Sequence, residues 1–263
     1  MSNILKTNFK REGFAIAKNI VSDDFINRVK EEVSNIFSFQ YDHLYKNNKP
    51  INNTDELITF LYNNNRDAFL ACSKQAQKIP LIHNLASSEK IIDLLSIINL
   101  NKPTISYTPL LMFNSKIMNK YITPPHQDWR SMQGSLDSVV VWIPLQDVYD
   151  GFGNIELVPK SHKKGLVSTK SDDWFRKIED KDYDNKFSSI KISKGDALIF
   201  STFLIHRTGI NNHKNIRWSL QFRYNNLSEE TYIQRGFPDP YKHFPVEDLI
   251  TKNFPTIEKI EEI

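Results

Sequence analysis

The chain reads as a single α+β domain, a double-stranded β-helix (jelly roll, cupin-like) braced by N-terminal helices. Three observations predict this. Apolar residues in the first hundred positions recur at three- and four-residue steps. From Pro103 onward they gather in short β-branched or aromatic runs bounded by Gly, Asn, Asp or Pro. No strand–helix–strand alternation and no glycine-rich phosphate loop links the two halves, which argues against a dinucleotide-binding fold. Several short strands at uneven spacing fit an antiparallel sandwich or barrel.

The elements follow in order. Ser22 or Asp23 caps a helix whose stripe is Phe25, Ile26, Val29, Val33, Ile36 and Phe37, with Lys30, Glu31 and Glu32 on its other side. After the polar loop 46–54, helices are predicted over 55–62, 66–77 and 88–98, the last presenting Ile91, Leu94, Leu95 and Ile98 on one face. Strands are predicted at 104–113, 138–145, 155–158, 188–192, 197–200 and 216–224. One domain over 1–263 then comprises helical support (20–100), a jelly-roll core (103–226) and a C-terminal extension (227–263). That extension is expected to pack as a final helix or to cap a neighbouring subunit in a homodimer.

Composition narrows the function classes. Hydrophobic residues are 40% and charged residues 25% of the chain, an ordinary globular balance. Basic residues number 34 against 31 acidic ones, and the resulting +3 is too small for nucleic-acid binding by charge. Apolar runs such as Val139–Leu145 fall far short of the ~20 residues of a membrane helix. The stretch Met1–Phe14 lacks the apolar core of a signal peptide. Cys72 is the only cysteine, which excludes an intrachain disulfide and a cysteine zinc cluster. A cytoplasmic protein acting on small molecules is the expectation.

Three segments carry chemistry. In Pro124-Pro125-His126-Gln127-Asp128-Trp129, alternate residues of a strand share a face, so His126 and Asp128 would project together about 7 Å apart along it. A surface histidine beside an unrelated aspartate accounts for that pair equally well. Gly195-Asp196 is a turn signal feeding an apolar strand, at whose far end stands His206. Alone, His206 reads more simply as a satisfied core histidine. Together, His126, Asp128 and His206 form a two-histidine, one-carboxylate set that can hold one face of an octahedral ferrous ion and leave positions open for a 2-oxo acid and dioxygen. Zinc would favour a more closed tetrahedron. The third segment, residues 216–224, alternates over nine residues. Its polar face is Arg217, Ser219, Gln221 and Arg223. An edge strand with that face in water explains the pattern, but a hairpin through 211–214 would set it beside His206, with an arginine fork ready for a carboxylate.

The triad and the 11-residue step from His206 to Arg217 resemble the phytanoyl-CoA dioxygenase family of iron(II)/2-oxoglutarate oxygenases. So do the blocks Val140–Leu145, Gly153–Lys163 and Gly195–Phe200, which occur in the family's order over residues 8–226. The resemblance implies that His126, Asp128 and His206 bind iron and that Arg217, aided by Ser219, holds the distal carboxylate of 2-oxoglutarate. Trp142 and Thr208 are expected to line that pocket, with dioxygen as the other co-substrate. Related halogenases lack the carboxylate ligand, so Asp128 points to hydroxylation or desaturation. His162 belongs to a Pro-x-Ser-His block that reads as a structural turn. Arg223, Gln221, Arg130 and Gln133 are the candidate substrate contacts, favouring a polar or anionic small molecule. Residues 168–186, with Trp174 and Phe175, form either a lid or a surface insertion. Two other functions fit a jelly roll: a cupin-like metal-dependent isomerase and a non-catalytic sugar-binding module.

Overall fold

A computed structural model of the chain describes residues 2–171, 176–178 and 181–239. Helix α1 (Ser2–Glu12) leads into strand β1 (Phe14–Ala17), followed by α2 (Asp23–Leu44), α3 (Thr54–Asn64), α4 (Arg66–Ala76), α5 (Pro80–Ala86) and α6 (Glu89–Ile97). The strand-rich part opens with β2 (Pro103–Ile105) and β3 (Leu110–Asn114), then α7 (Trp129–Met132), β4 (Val139–Pro144) and β5 (Ile155–Leu157). It continues with β6 (Lys170–Ser171), β7 (Arg176–Lys177), β8 (Ser188–Ser189), β9 (Ala197–Ser201), β10 (His206–Thr208), β11 (Arg217–Asn226) and α8 (Glu230–Gln234).

Capping chemistry sets the helix boundaries. Ser22 Oγ accepts from the Phe25 amide at 3.2 Å, and Asn53 Oδ1 accepts from Glu56 at 3.1 Å. Asn65 Oδ1 takes the Ala68 amide at 3.1 Å, so one residue ends α3 and starts α4. Such caps contribute about 1 kcal/mol each. The predicted stripe of α2 is the buried one, continuing through Tyr41. Helices α1 and α5 were not anticipated. None of α1 is fully buried, and only Leu5 and Phe9 rest on the core, so its sequence carries little periodicity. Helix α5 has seven residues, two turns, too few to show a period. The run 104–113 is not one strand: the Thr108-Pro109 step, where proline offers no amide donor, separates β2 from β3.

The larger sheet runs β1-β9-β4-β11-β2, with β3 also paired to β11, and the smaller runs β10-β5-β8. The pairings are antiparallel. Strand β4 is buried on both faces. Val139, Val141 and Ile143 face the helices, in one core with Val29, Val33, Phe37 and Leu95. Val140 and Trp142 face the second sheet, with Ile155, Leu157, Phe200 and Leu204. The helices therefore cover one side of the large sheet while the site lies between the sheets. Because β1 pairs with β9, residues 14–17, for which no element was predicted, belong to the sheet itself. Gly195 makes this joint possible. Its φ of +80° is open to glycine, and a Cβ there would lie 2.4 Å from the Val21 carbonyl oxygen. Asp196 then accepts Lys18 Nζ at 2.7 Å and the Asn19 amide at 3.0 Å.

Within the insertion, Ile178 and Tyr183 pack with Val158 and Ile205. Trp174 and Phe175, and the tail from residue 240, lie outside the described residues.

Candidate active site

His126 and His206 meet as an isolated antiparallel bridge: each amide donates to the other's carbonyl, at 3.0 and 3.1 Å. Their ring centroids are 4.1 Å apart. His126 Nδ1 donates to the Pro124 carbonyl at 2.8 Å, and His206 Nδ1 to the Leu204 carbonyl at 3.0 Å. A carbonyl only accepts, so Nδ1 carries a proton in both rings and Nε2 is the nitrogen turned toward Asp128. Asp128 Oδ1 lies 3.4 Å from His126 Nε2, and Oδ2 lies 3.8 Å from His206 Nε2. The three side chains offer ligand atoms that all fall within 4.8 Å of one another. Two imidazole nitrogens and one carboxylate suit a divalent metal ion.

The electrostatics agree. Burial, and then the neighbouring His126 ring, push the His206 imidazole down to about 3, so it is neutral at any physiological pH. Burial alone would raise the Asp128 carboxyl. The charge of the Arg223 guanidinium, foremost among its neighbours, outweighs burial and holds the group well below the usual carboxylate range.

Three expectations about how the ligands arrive need correction. Asp128 is not on a strand: its φ of −62° and ψ of −32° are helical, and it opens α7. His206 does not continue the strand that Gly195-Asp196 feeds, because β9 ends at Ser201 and His206 begins β10 in the other sheet. Nor does β11 return beside His206. It lies between β4 and the β2 and β3 strands of the larger sheet and faces β10 across the interior. The inward direction of its polar face is as expected.

Between the sheets is a cavity of about 510 Å³, lined by His126, Asp128 and His206 and by Trp142, Thr208, Arg217, Ser219, Gln221 and Arg223. Arg217 is 3% exposed and donates from Nη1 to Ser219 Oγ. Its guanidinium carbon stands 5.4 Å from the Trp142 ring centroid, a cation–π contact. Burial pushes the guanidinium down to about 10, its Nε has no hydrogen-bond partner, and no carboxylate pairs with it among the described residues. A buried cation in that condition fits an anionic ligand.

The four candidate substrate contacts divide. Arg223 Nη2 donates to Asp128 Oδ1 at 3.1 Å and Gln221 Nε2 to Oδ2 at 3.3 Å, so both serve the carboxylate. Arg130 donates to the Val167 carbonyl at 2.6 Å, and Gln133 closes α7 in the left-handed region at φ 48°. Neither lines the cavity.

Some contributors escaped the sequence reading. Gln127, between the ligands and 3% exposed, points the other way. It donates to the Gly165 and Phe203 carbonyls at 2.8 and 2.6 Å and accepts from the Val167 amide at 2.9 Å, fixing the loop that carries both ligands. Leu110, Met112 and Asn114 line the cavity because β3 registers Leu110 with Gln221, Met112 with Ser219 and Asn114 with Arg217. Their two-residue alternation was the available signal, but it did not say which face was inside. The Pro-x-Ser-His block is structural: Ser161 Oγ accepts the Ile205 amide at 2.8 Å, next to His206.

The sequence profile of the phytanoyl-CoA dioxygenase (PhyH) family matches residues 9–218, which include His126, Asp128, His206 and Arg217. The chain belongs to the phytanoyl-CoA dioxygenase family. A curated relative, 1-deoxypentalenic acid 11-beta-hydroxylase of Streptomyces exfoliatus, is 29% identical over 97 residues, about a third (34%) of each chain. Among solved structures, the non-heme alpha-ketoglutarate-dependent carbocyclase SnoK from nogalamycin biosynthesis is similar with a TM-score of 0.61 at 13% identity. That match covers 93% of this chain and 94% of that one. Iron-bound EctD from S. alaskensis is similar with a TM-score of 0.57 at 13% identity, over 87% of this chain and 78% of that one. At these identities the likeness is one of fold, and it bears out the jelly roll. Membership of a family of iron(II)/2-oxoglutarate oxygenases also disfavours the isomerase and binding-module readings.

Proposed function

We propose that this protein is an iron(II)/2-oxoglutarate-dependent dioxygenase that hydroxylates a C–H bond of a small molecule, releasing succinate and CO2. One observation carries the reading: two Nε2 atoms and a carboxylate converge within 4.8 Å beside a buried guanidinium that has no carboxylate partner among the described residues. His126, Asp128 and His206 would hold the metal, and Arg217 with Ser219 would hold the far carboxylate of 2-oxoglutarate. Bound there, ferrous iron and 2-oxoglutarate supply the electrons that split dioxygen, one oxygen atom going to succinate and one to the substrate.

The chain's own residues have simpler tasks. The Nδ1–H···O=C bonds of His126 and His206 aim each Nε2 into the cavity. Trp142 and Thr208 bound the co-substrate's space, and Leu110, Met112 and Ile155 give the cavity an apolar wall. No side chain needs to act as a general base. The case for an anionic substrate rested on Arg223 and Arg130, which have partners here in Asp128 and Val167. Arg207, at the cavity, is paired to Glu156 at 2.6 Å. We therefore favour a neutral substrate with an apolar body and a few hydroxyl or carbonyl groups for Thr123 and Ser131. No helix of the described residues is long and apolar enough to cross a membrane, and the one cysteine, Cys72, is a buried free thiol, in keeping with a cytoplasmic enzyme.

The test is succinate release from 2-oxoglutarate across a panel of small molecules, with iron(II) and oxygen each omitted in turn. Turnover should require both and fall to background in Asp128→Ala. Full turnover in that variant refutes the assignment.

A further inference from the structure

We propose that Gln221 and Arg223 are positioning residues: a two-pronged clamp on β11 that aims the Asp128 carboxylate at the two imidazoles. The inference rests on the metal-site reading above.

Asp128 needs such help. Both histidines are fixed by a backbone bridge and by an Nδ1 bond to a carbonyl two residues earlier. Asp128 has neither. It stands at the start of a helix of four residues and makes no capping bond with its side chain. Its carboxylate is oriented from across the cavity. Arg223 Nη2 takes Oδ1 at 3.1 Å, the oxygen facing His126, and Gln221 Nε2 takes Oδ2 at 3.3 Å, the oxygen facing His206. Each oxygen thus receives one donor from the strand and keeps a lone pair toward an imidazole nitrogen.

The clamp is rigid because β11 is an interior strand. Gln221 registers with Trp142 on β4 and Leu110 on β3, and Arg223 with Val140 on β4. The two donors stand two residues apart on one face, so they reach the same group. The same strand carries Arg217 four residues earlier, which makes one rigid element the reference for both metal ligand and co-substrate.

The choice of variants follows from a competing effect. Arg223 also places a positive charge beside a cation site, so deleting it would relieve repulsion as well as release Asp128. The informative changes keep net charge: Gln221→Met, isosteric and neutral, and Arg223→Lys, which keeps the cation and loses the planar fork. Anaerobic Co(II) titration, followed by calorimetry and by visible d–d absorption, reads metal affinity without turnover. Each variant should bind Co(II) about 10-fold more weakly, within the ~10–100-fold range typical of residues that orient metal ligands. The d–d spectrum should change, while 2-oxoglutarate affinity at saturating Co(II) stays within about 2-fold of wild type. Unchanged Co(II) affinity and spectrum, with a raised substrate KM, would overturn the clamp and return both residues to substrate binding. A wild-type protein that takes up no stoichiometric Co(II) would sink the metal site itself, a separate failure.

Discussion

Arg217→Met tests the co-substrate pocket with two readouts of opposite expectation. Burial pushes the guanidinium down from its ordinary value to about 10, which at 1.36 kcal/mol per decade of proton affinity is a cost of about 3 kcal/mol for the charged form. Because the folded value lies below the unfolded one, the cost is fully present at every pH below about 10 and is relieved only as pH rises beyond that toward the guanidinium's ordinary value. A methionine, whose side chain reaches about as far as the arginine Nε, carries no such cost. Against it stands the Ser219 hydroxyl, which loses its partner at about 1 kcal/mol. The ligand-free variant should therefore unfold at a denaturant midpoint equal to or above wild type. Its ligand response should collapse. Wild type with Mn(II) and 2-oxoglutarate at 100 times Kd gains about 2.7 kcal/mol, and at roughly 2–4 °C per kcal/mol its Tm should rise about 5–10 °C. Losing charge-assisted bonds weakens binding by about 100-fold, leaving about 0.4 kcal/mol and a rise of about 1 °C at the same concentration. Anaerobic scanning fluorimetry reads both. A variant clearly less stable than wild type that keeps the full ligand shift refutes the reasoning.

Other outcomes follow from the same structure. In the metal-free protein His206 is held neutral, with a folded value of about 3 against 6.5 unfolded. Stability present above pH 6.5 should be lost as pH falls toward 3, at up to about 1.4 kcal/mol per pH unit. Urea unfolding across pH 7 to 4 should show this steepness in wild type and less of it in His206→Gln. Gly195→Ala sets a side chain at φ +80° and against the Val21 carbonyl. It should cost about 2 kcal/mol or more and expose β1 to hydrogen exchange first. Tyr224 Oη donates to the Ala86 carbonyl at 2.7 Å from a fully buried ring, tying β11 to α5. Tyr224→Phe should lower stability by about 1–3 kcal/mol in denaturant unfolding and leave metal affinity unchanged.

Much of this protein is legible in one dimension because its signals are local. The cap at Ser22, the α2 stripe and the alternation along β11 act within a few residues, and each is a matter of backbone hydrogen bonds and of which face meets water. The candidate site was legible too: residue types and spacing brought His126, Asp128, His206 and Arg217 forward, and the ordered blocks around them, through their resemblance to a family, singled them out. Tertiary structure decided how they meet. A histidine bridge between distant segments, and Arg223 and Gln221 bonded to the Asp128 carboxylate, are contacts across 80 or more residues. No local periodicity encodes them, because they depend on which faces of two sheets the covering helices leave turned toward each other.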